Sequence, residues 1–157
     1  MSMPTRLESH LSKNRIAYGR VFHPAIHSAQ QTAAAMHFPG REVAKTVAFR
    51  AGRQEFLAVL PASHHVNLER LRDIVGERVH LLDEARCAEL FPDCEKGAIP
   101  PFGELYGLPV YLDQRLVESS QIVFCAGTLS EGIRMGNVEF MHLVKPKVGD
   151  FAERTRS

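Results

Sequence analysis

The run Gly97-Ala98-Ile99-Pro100-Pro101-Phe102-Gly103 has the composition of a loop built to hold a ligand. Two adjacent prolines fix φ at successive positions and remove two backbone donors. The flanking glycines open conformations that other residues avoid and allow a close approach by a ligand. The remaining amides, on Gly97, Ala98, Ile99, Phe102 and Gly103, cannot all join a strand ladder. A stiff loop with free N–H groups suits an oxyanion, a phosphate or a water. Taken alone, the same residues also describe a tight surface turn.

Lys45 is the second candidate. Val43-Ala44-Lys45-Thr46-Val47-Ala48-Phe49 reads as a strand, rich in β-branched and aromatic residues and followed by a turn at Gly52. Period two places Val43, Lys45, Val47 and Phe49 on one face and Ala44, Thr46 and Ala48 on the other. An ammonium among large apolar side chains either opens onto a cavity, meets an anion, or snorkels out at an edge.

The elements that must position these residues form an α+β pattern. A helix is expected over Thr5–Arg15 with Leu7 and Leu11 inward, within a helical N-terminal extension spanning 4–16. A short strand follows at Tyr18–Phe22, and Ser28 caps a helix through Met36 that ends at Pro39-Gly40. Residues 42–50 and 54–60 pair as a hairpin around Gly52-Arg53. Asn67 opens a helix to Val75 with Leu68, Leu71, Ile74 and Val75 inward, and Asp83 caps another that stops before Pro92. Strands are expected at 109–113 and 121–127, then a helix over Asn137–Val144. From Phe151 to Ser157 the chain is expected to fray.

Composition narrows the class. The 157 residues make one domain, 45% hydrophobic and 24% charged, as in ordinary soluble proteins. No run approaches the ~20 apolar residues of a membrane span, and no signal-peptide pattern opens the chain. Cys87, Cys94 and Cys125 make no Cys-x-x-Cys pair, which suits a reduced, cytoplasmic setting. The net charge of +1 excludes a protein that coats nucleic acid, though not one that grips a single end of it. Arg20, Arg41, Arg50, Arg53 and Arg134 are either a local phosphate patch or solvated surface.

Other chemistries fit poorly. A Gly-x-Ser-x-Gly elbow is absent. Cys125 ends an apolar strand and reads as a buried small hydrophobe. His23 and His27 have i,i+4 spacing, but Pro24 intervenes and no further ligand follows, so neither metal nor cofactor is expected. His64-His65 reads as solvated loop, His142 faces either way on the last helix, and Asp113 is a turn or cap residue.

The Ala-Lys-Thr strand, the Gly-x-x-Pro-Pro-Phe-Gly loop and the later Gly107-Leu108-Pro109-Val110-Tyr111-Leu112-Asp113, in this order from His23 to Pro146, resemble the YbaK/ProX-type aminoacyl-tRNA deacylases. That family includes the editing domain of bacterial prolyl-tRNA synthetases and its free-standing relatives. The resemblance implies a mixed, barrel-like β-sheet core with peripheral helices. It also implies hydrolysis of the ester joining a wrong amino acid to the 3′-terminal ribose of a tRNA. Lys45, Gly97 and Pro101 are carried over as catalytic, and Ile99, Pro100, Phe102 and Gly103 as substrate-binding. Gly127, Thr128 and Ser130 are weaker candidates for the pocket wall. The implied partner is the acceptor end of an aminoacyl-tRNA, with a synthetase as a second partner and neither membrane nor DNA. Ile99 and the prolines suit a small side chain of the Ala, Ser, Thr or Cys class. A non-catalytic tRNA- or synthetase-binding module and a hydrolase of free small esters remain as alternatives.

Overall fold

A computed structural model describes residues 2–23 and 38–155. The helix expected from Ser28 to Met36, with His27, lies outside them. The central hairpin pairs β2 (Val43–Ala51) with β3 (Gln54–Pro61) from Ala44↔Pro61 to Ala51↔Gln54, as the Gly52 turn requires. Around it grows a mixed sheet in the order β1 (Tyr18–Phe22), β8 (Glu131–Gly136), β7 (Gln121–Thr128), β2, β3, β6 (Val110–Asp113) and β9 (Lys147–Gly149). β5 (Val79–Leu81) adds to the far end of β2. β4 (His64–Val66) and β10 (Ala152–Arg154) form a separate antiparallel pair.

Alternation along the strands divides the core. Ala44, Ala48, Leu57, Val59, Leu112 and Phe124 face one side, where they pack with Leu7 and Leu11 of α1 (Thr5–Lys13) and Phe140 of α4 (Asn137–Val144). Phe49, Ala51, Phe56, Ala58 and Leu60 face the other, against Leu71 of α2 (Leu68–Val75), Phe151 and Ala152. Val43 and Val123 share that second face with Ala62 and Cys125. The expected mixed sheet with peripheral helices is what the chain forms.

Local sequence sets the helix ends. The Asn67 side chain accepts from Arg70 N at 3.0 Å, and Gly76 closes α2 at φ +93°. Asp83 accepts from Arg86 N at 2.8 Å and starts α3 (Glu84–Leu90). Leu68, expected inward, is 51% exposed, because α2 is only eight residues long and Leu71 takes its buried centre.

Two further expectations need correcting. His64-His65 is strand rather than solvated loop: β4 pairs with β10, and His64 Nδ1 bonds Ser63 Oγ at 2.9 Å. The chain from Phe151 to Thr155 does not fray; only residues 156 and 157 lie outside the described chain there. Its anchor is Asp113, fully buried, whose Oδ1 accepts from Phe151 N at 3.0 Å and Ala152 N at 2.8 Å. Arg115 donates to the same carboxylate from its backbone and its guanidinium. Removing the carboxylate strands two buried amides, while Arg115 keeps its ion pair with Asp150 at 2.9 Å. Asp113→Ala is therefore expected to destabilise the domain by about 3 kcal/mol or more in urea unfolding, with the fastest amide exchange over 151–155.

Candidate active site

The site begins where two parallel strands part. β2 and β7 pair only at Val43↔Val123 and Ala44↔Phe124. β5 takes over the same edge of β2 at Phe49↔Leu81. Between those points Lys45, Thr46, Val47 and Ala48 pair with β3 alone among the described strands. The segment following α3 closes the resulting gap. Glu95 N donates to Gly127 O at 2.8 Å, and Gly127 N donates to Ala98 O at 2.9 Å, so the loop joins the end of β7. The Glu95 side chain accepts from Thr128 Oγ1 at 2.5 Å and, more weakly, from Leu129 N at 3.4 Å.

The proline loop itself is pinned at its rear. Pro100, Pro101, Phe102 and Gly103 are buried. Phe102 meets Phe124 and Phe140 edge-on at centroid distances of 5.5 and 5.8 Å. Gly103 lies so close to Leu108 O and Val110 that a Cβ has no room there. Gly97 turns the front of the loop at φ +83°. Ala98 N bonds Glu95 O at 3.1 Å, while the amides of Gly97 and Ile99 have no acceptor among the described residues.

Gly97 and Ile99 line a cavity of roughly 440 Å3 whose opposite wall is Thr46, Val47 and Ala48 of β2. Leu82, Cys87 and Phe91 supply apolar wall, and Glu95 and Lys96 lie at its polar end. Thr46 Oγ1 is buried there with no hydrogen-bond partner. Strand alternation alone puts Thr46 on this face, opposite to Lys45.

Lys45 is not among the residues lining that cavity. It points to the face that holds Val43, Val123 and Cys125, one position past the last paired residues. It is half-buried, and desolvation lowers the pKa of its amine from the ordinary lysine value. Its charge also reaches His64, whose pKa is lowered mainly by burial, with Arg115 and then Lys45 among the smaller contributions. No ion pair to Lys45 occurs among the described residues.

The remaining candidates sort by contact. Gly127 and Thr128 anchor the loop and are absent from the cavity wall. Ser130 gives its carbonyl to His23 N at 3.0 Å and sits 3.3 Å, oxygen to oxygen, from Thr128. Cys125 stays a thiol, pushed up to about 11 by burial and by the charge of Glu95. Cys94 is likewise raised to about 11 by burial. His142 is exposed on α4. Among the described residues, no three His, Cys, Asp or Glu side chains cluster at metal-binding distance.

The model of the aminoacyl-tRNA editing domain matches residues 23–143, which contain Lys45, the proline loop and the Gly127 turn. The chain belongs to that family. The editing domain's fold recurs in solved structures. A proposed trans-editing enzyme for prolyl tRNA synthetase superposes with a TM-score of 0.82 at 20% identity, covering 97% of this chain and 99% of the other. The hypothetical protein APE2540 gives 0.84 at 16% identity, over 94% and 99%. A proposed signal-transduction protein from Marinobacter aquaeolei VT8 gives 0.74 at 17% identity, over 96% of this chain but 31% of its own. None of the curated proteins matches this chain significantly in sequence. No helix among the described residues is long and apolar enough to cross a membrane.

Two expectations follow from this geometry. Lys45 carries an unpaired, partly desolvated charge, so Lys45→Met should melt higher than wild type at pH 7, by about 2–4 °C. The unfolded chain binds the lysine proton more tightly than the folded one. Wild-type stability therefore gains as pH rises through the lowered folded pKa toward 10.5, and the difference between the two proteins should shrink in that window. A lower melting temperature for Lys45→Met would make the lysine a structural residue. Because the Cys125 thiol stays protonated, Cys125→Ala should leave any reaction that the site catalyses within about twofold of the wild-type rate.

Proposed function

We propose that this chain is a trans-acting aminoacyl-tRNA deacylase that removes a small amino acid, of the Ala, Ser, Thr or Cys class, from a mischarged tRNA. The observation that carries the reading is the pair of unengaged amides on Gly97 and Ile99. These residues line a cavity across from Thr46, and the half-buried cation of Lys45 stands on the opposite face of the same strand. The match of residues 23–143 to the aminoacyl-tRNA editing domain supports the reading.

An aminoacyl ester is already activated, so the protein need supply no strong nucleophile. Water adds to the ester carbonyl, and the carbonyl oxygen takes up negative charge. The ribose oxygen then leaves with a proton, giving free amino acid and tRNA. A rigid pair of donors aimed at the developing oxyanion lowers that barrier, because they need not reorganise as the charge forms. In this reading the loop amides bind the oxyanion, and Lys45 holds the anionic 3′ end of the tRNA. Pro100 and Pro101 keep the loop stiff, and Ile99 limits the side chain accepted. Phe102 and Gly103 act from behind, through the loop's seat on the core. The three free cysteines suit a cytoplasmic site of action.

Purified tRNAs charged with Ala, Ser, Thr or Cys on non-cognate acceptors test the proposal directly. Wild type should clear one or two of these esters, and Lys45→Ala should slow the same reaction by about a hundredfold or more. Survival of every ester at its spontaneous rate would overturn the deacylase reading. In that case tRNA binding without turnover would point to a non-catalytic module.

A further inference from the structure

Helix α1 precedes residues 23–143, the part of the chain that matches the editing domain. Its side chains nevertheless reach both ends of the proline loop. Arg6 Nε makes an ion pair with Asp93 Oδ2 at 2.7 Å, just before the loop. Arg6 Nη1 donates to Leu105 O at 3.2 Å, just after it. The guanidinium also lies 4.6 Å above the ring of Tyr106, whose hydroxyl donates to Asp93 at 3.2 Å. One planar group thus closes the segment 93–106 into a ring of contacts.

We propose that Arg6 is a positioning residue of the editing site: it fixes the separation of the loop's two ends, and so the direction in which Gly97 and Ile99 present their amides. The claim rests on the deacylase reading for its catalytic consequence. The rest of α1 supports the same seat. His10 Nε2 stands 2.6 Å from Glu104 Oε1, and its ring meets Phe102 edge-on at 5.9 Å. Pro4 packs beneath Gly127, its Cδ only 2.5 Å from where a Cβ would lie. That same glycine bonds Glu95 and Ala98 of the loop. Leu7 and Leu11 hold the helix down in the core that contains Phe91 and Phe102.

The alternative is that Arg6 merely adds stability. An exposed ion pair contributes little to global folding, and the Arg6 side chain is 41% exposed. Its planar fork, in contrast, makes three simultaneous contacts that a lysine ammonium cannot reproduce. The two roles therefore separate by measurement.

Full-length Arg6→Ala and Arg6→Lys are compared with wild type by melting temperature, peptide-resolved hydrogen–deuterium exchange and deacylation kinetics. The proposal expects both variants to melt within about 2 °C of wild type. Exchange over 94–103 should rise at least about fivefold, with β2 and β3 unchanged. On the tRNA that wild type deacylates, kcat should fall about tenfold or more while KM moves less than about twofold. Unchanged exchange over 94–103 overturns the proposal. So does faster exchange spread evenly over the sheet with a lower melting temperature, or wild-type kcat in Arg6→Lys. Should wild type itself deacylate nothing, the reaction assigned to the site falls, and the exchange data still decide whether Arg6 sets the loop.

Discussion

The divergence of β2 from β7 after two paired residues is the constraint on which the cavity depends. A parallel pair continued further would satisfy the edge of β2 with backbone and bury Lys45 and Thr46 against another strand. Instead the edge is left to a loop rich in glycine and proline, which bonds the end of β7 and leaves a space beside β2. Proline is suited to that place because it needs no hydrogen-bond acceptor. Gly97 and Ile99 line that space, and their amides bond no neighbouring strand among the described residues. An interrupted sheet supplies both the hollow and its donors.

The gap also has two sides. Successive residues of β2 point to opposite faces, so Thr46 enters the apolar cavity while Lys45 stands on the side of Val43 and Cys125. One strand can then offer a neutral hydroxyl and a cation within a single residue step, separated by the thickness of the sheet. Burial partly desolvates the cation, and no carboxylate among the described residues pairs with it.

How far the sequence revealed this architecture depended on the range of the interactions involved. The β2–β3 hairpin, the caps at Asn67 and Asp83, and helix α4 are set by residues a few positions apart, and each was legible. β4, β5, β9 and β10 are three residues long, too short for any alternation to register, and exist because a partner lies opposite. β8, with Gly132, Arg134 and Gly136, lacks a strand-like composition and is held by β1 and β7 on either side. At the site, the lysine and the loop stood out through unusual residue types. Thr46 and Glu95 did not, since nothing in a lone threonine or glutamate announces a missing partner or an anchoring bond. Their roles come from which face of β2 the loop covers.

Asp113 gives the domain a direction in time. It ends β6, yet two of the amides that satisfy it belong to Phe151 and Ala152, 38 and 39 residues further on. A ribosome that has just released β6 has made a carboxylate whose acceptors are left to water. The sheet around it cannot become dry until those later residues emerge and dock. A nascent chain halted between them would hold the loop, the lysine and the cavity walls, and would still lack the seal over the opposite face of the hairpin.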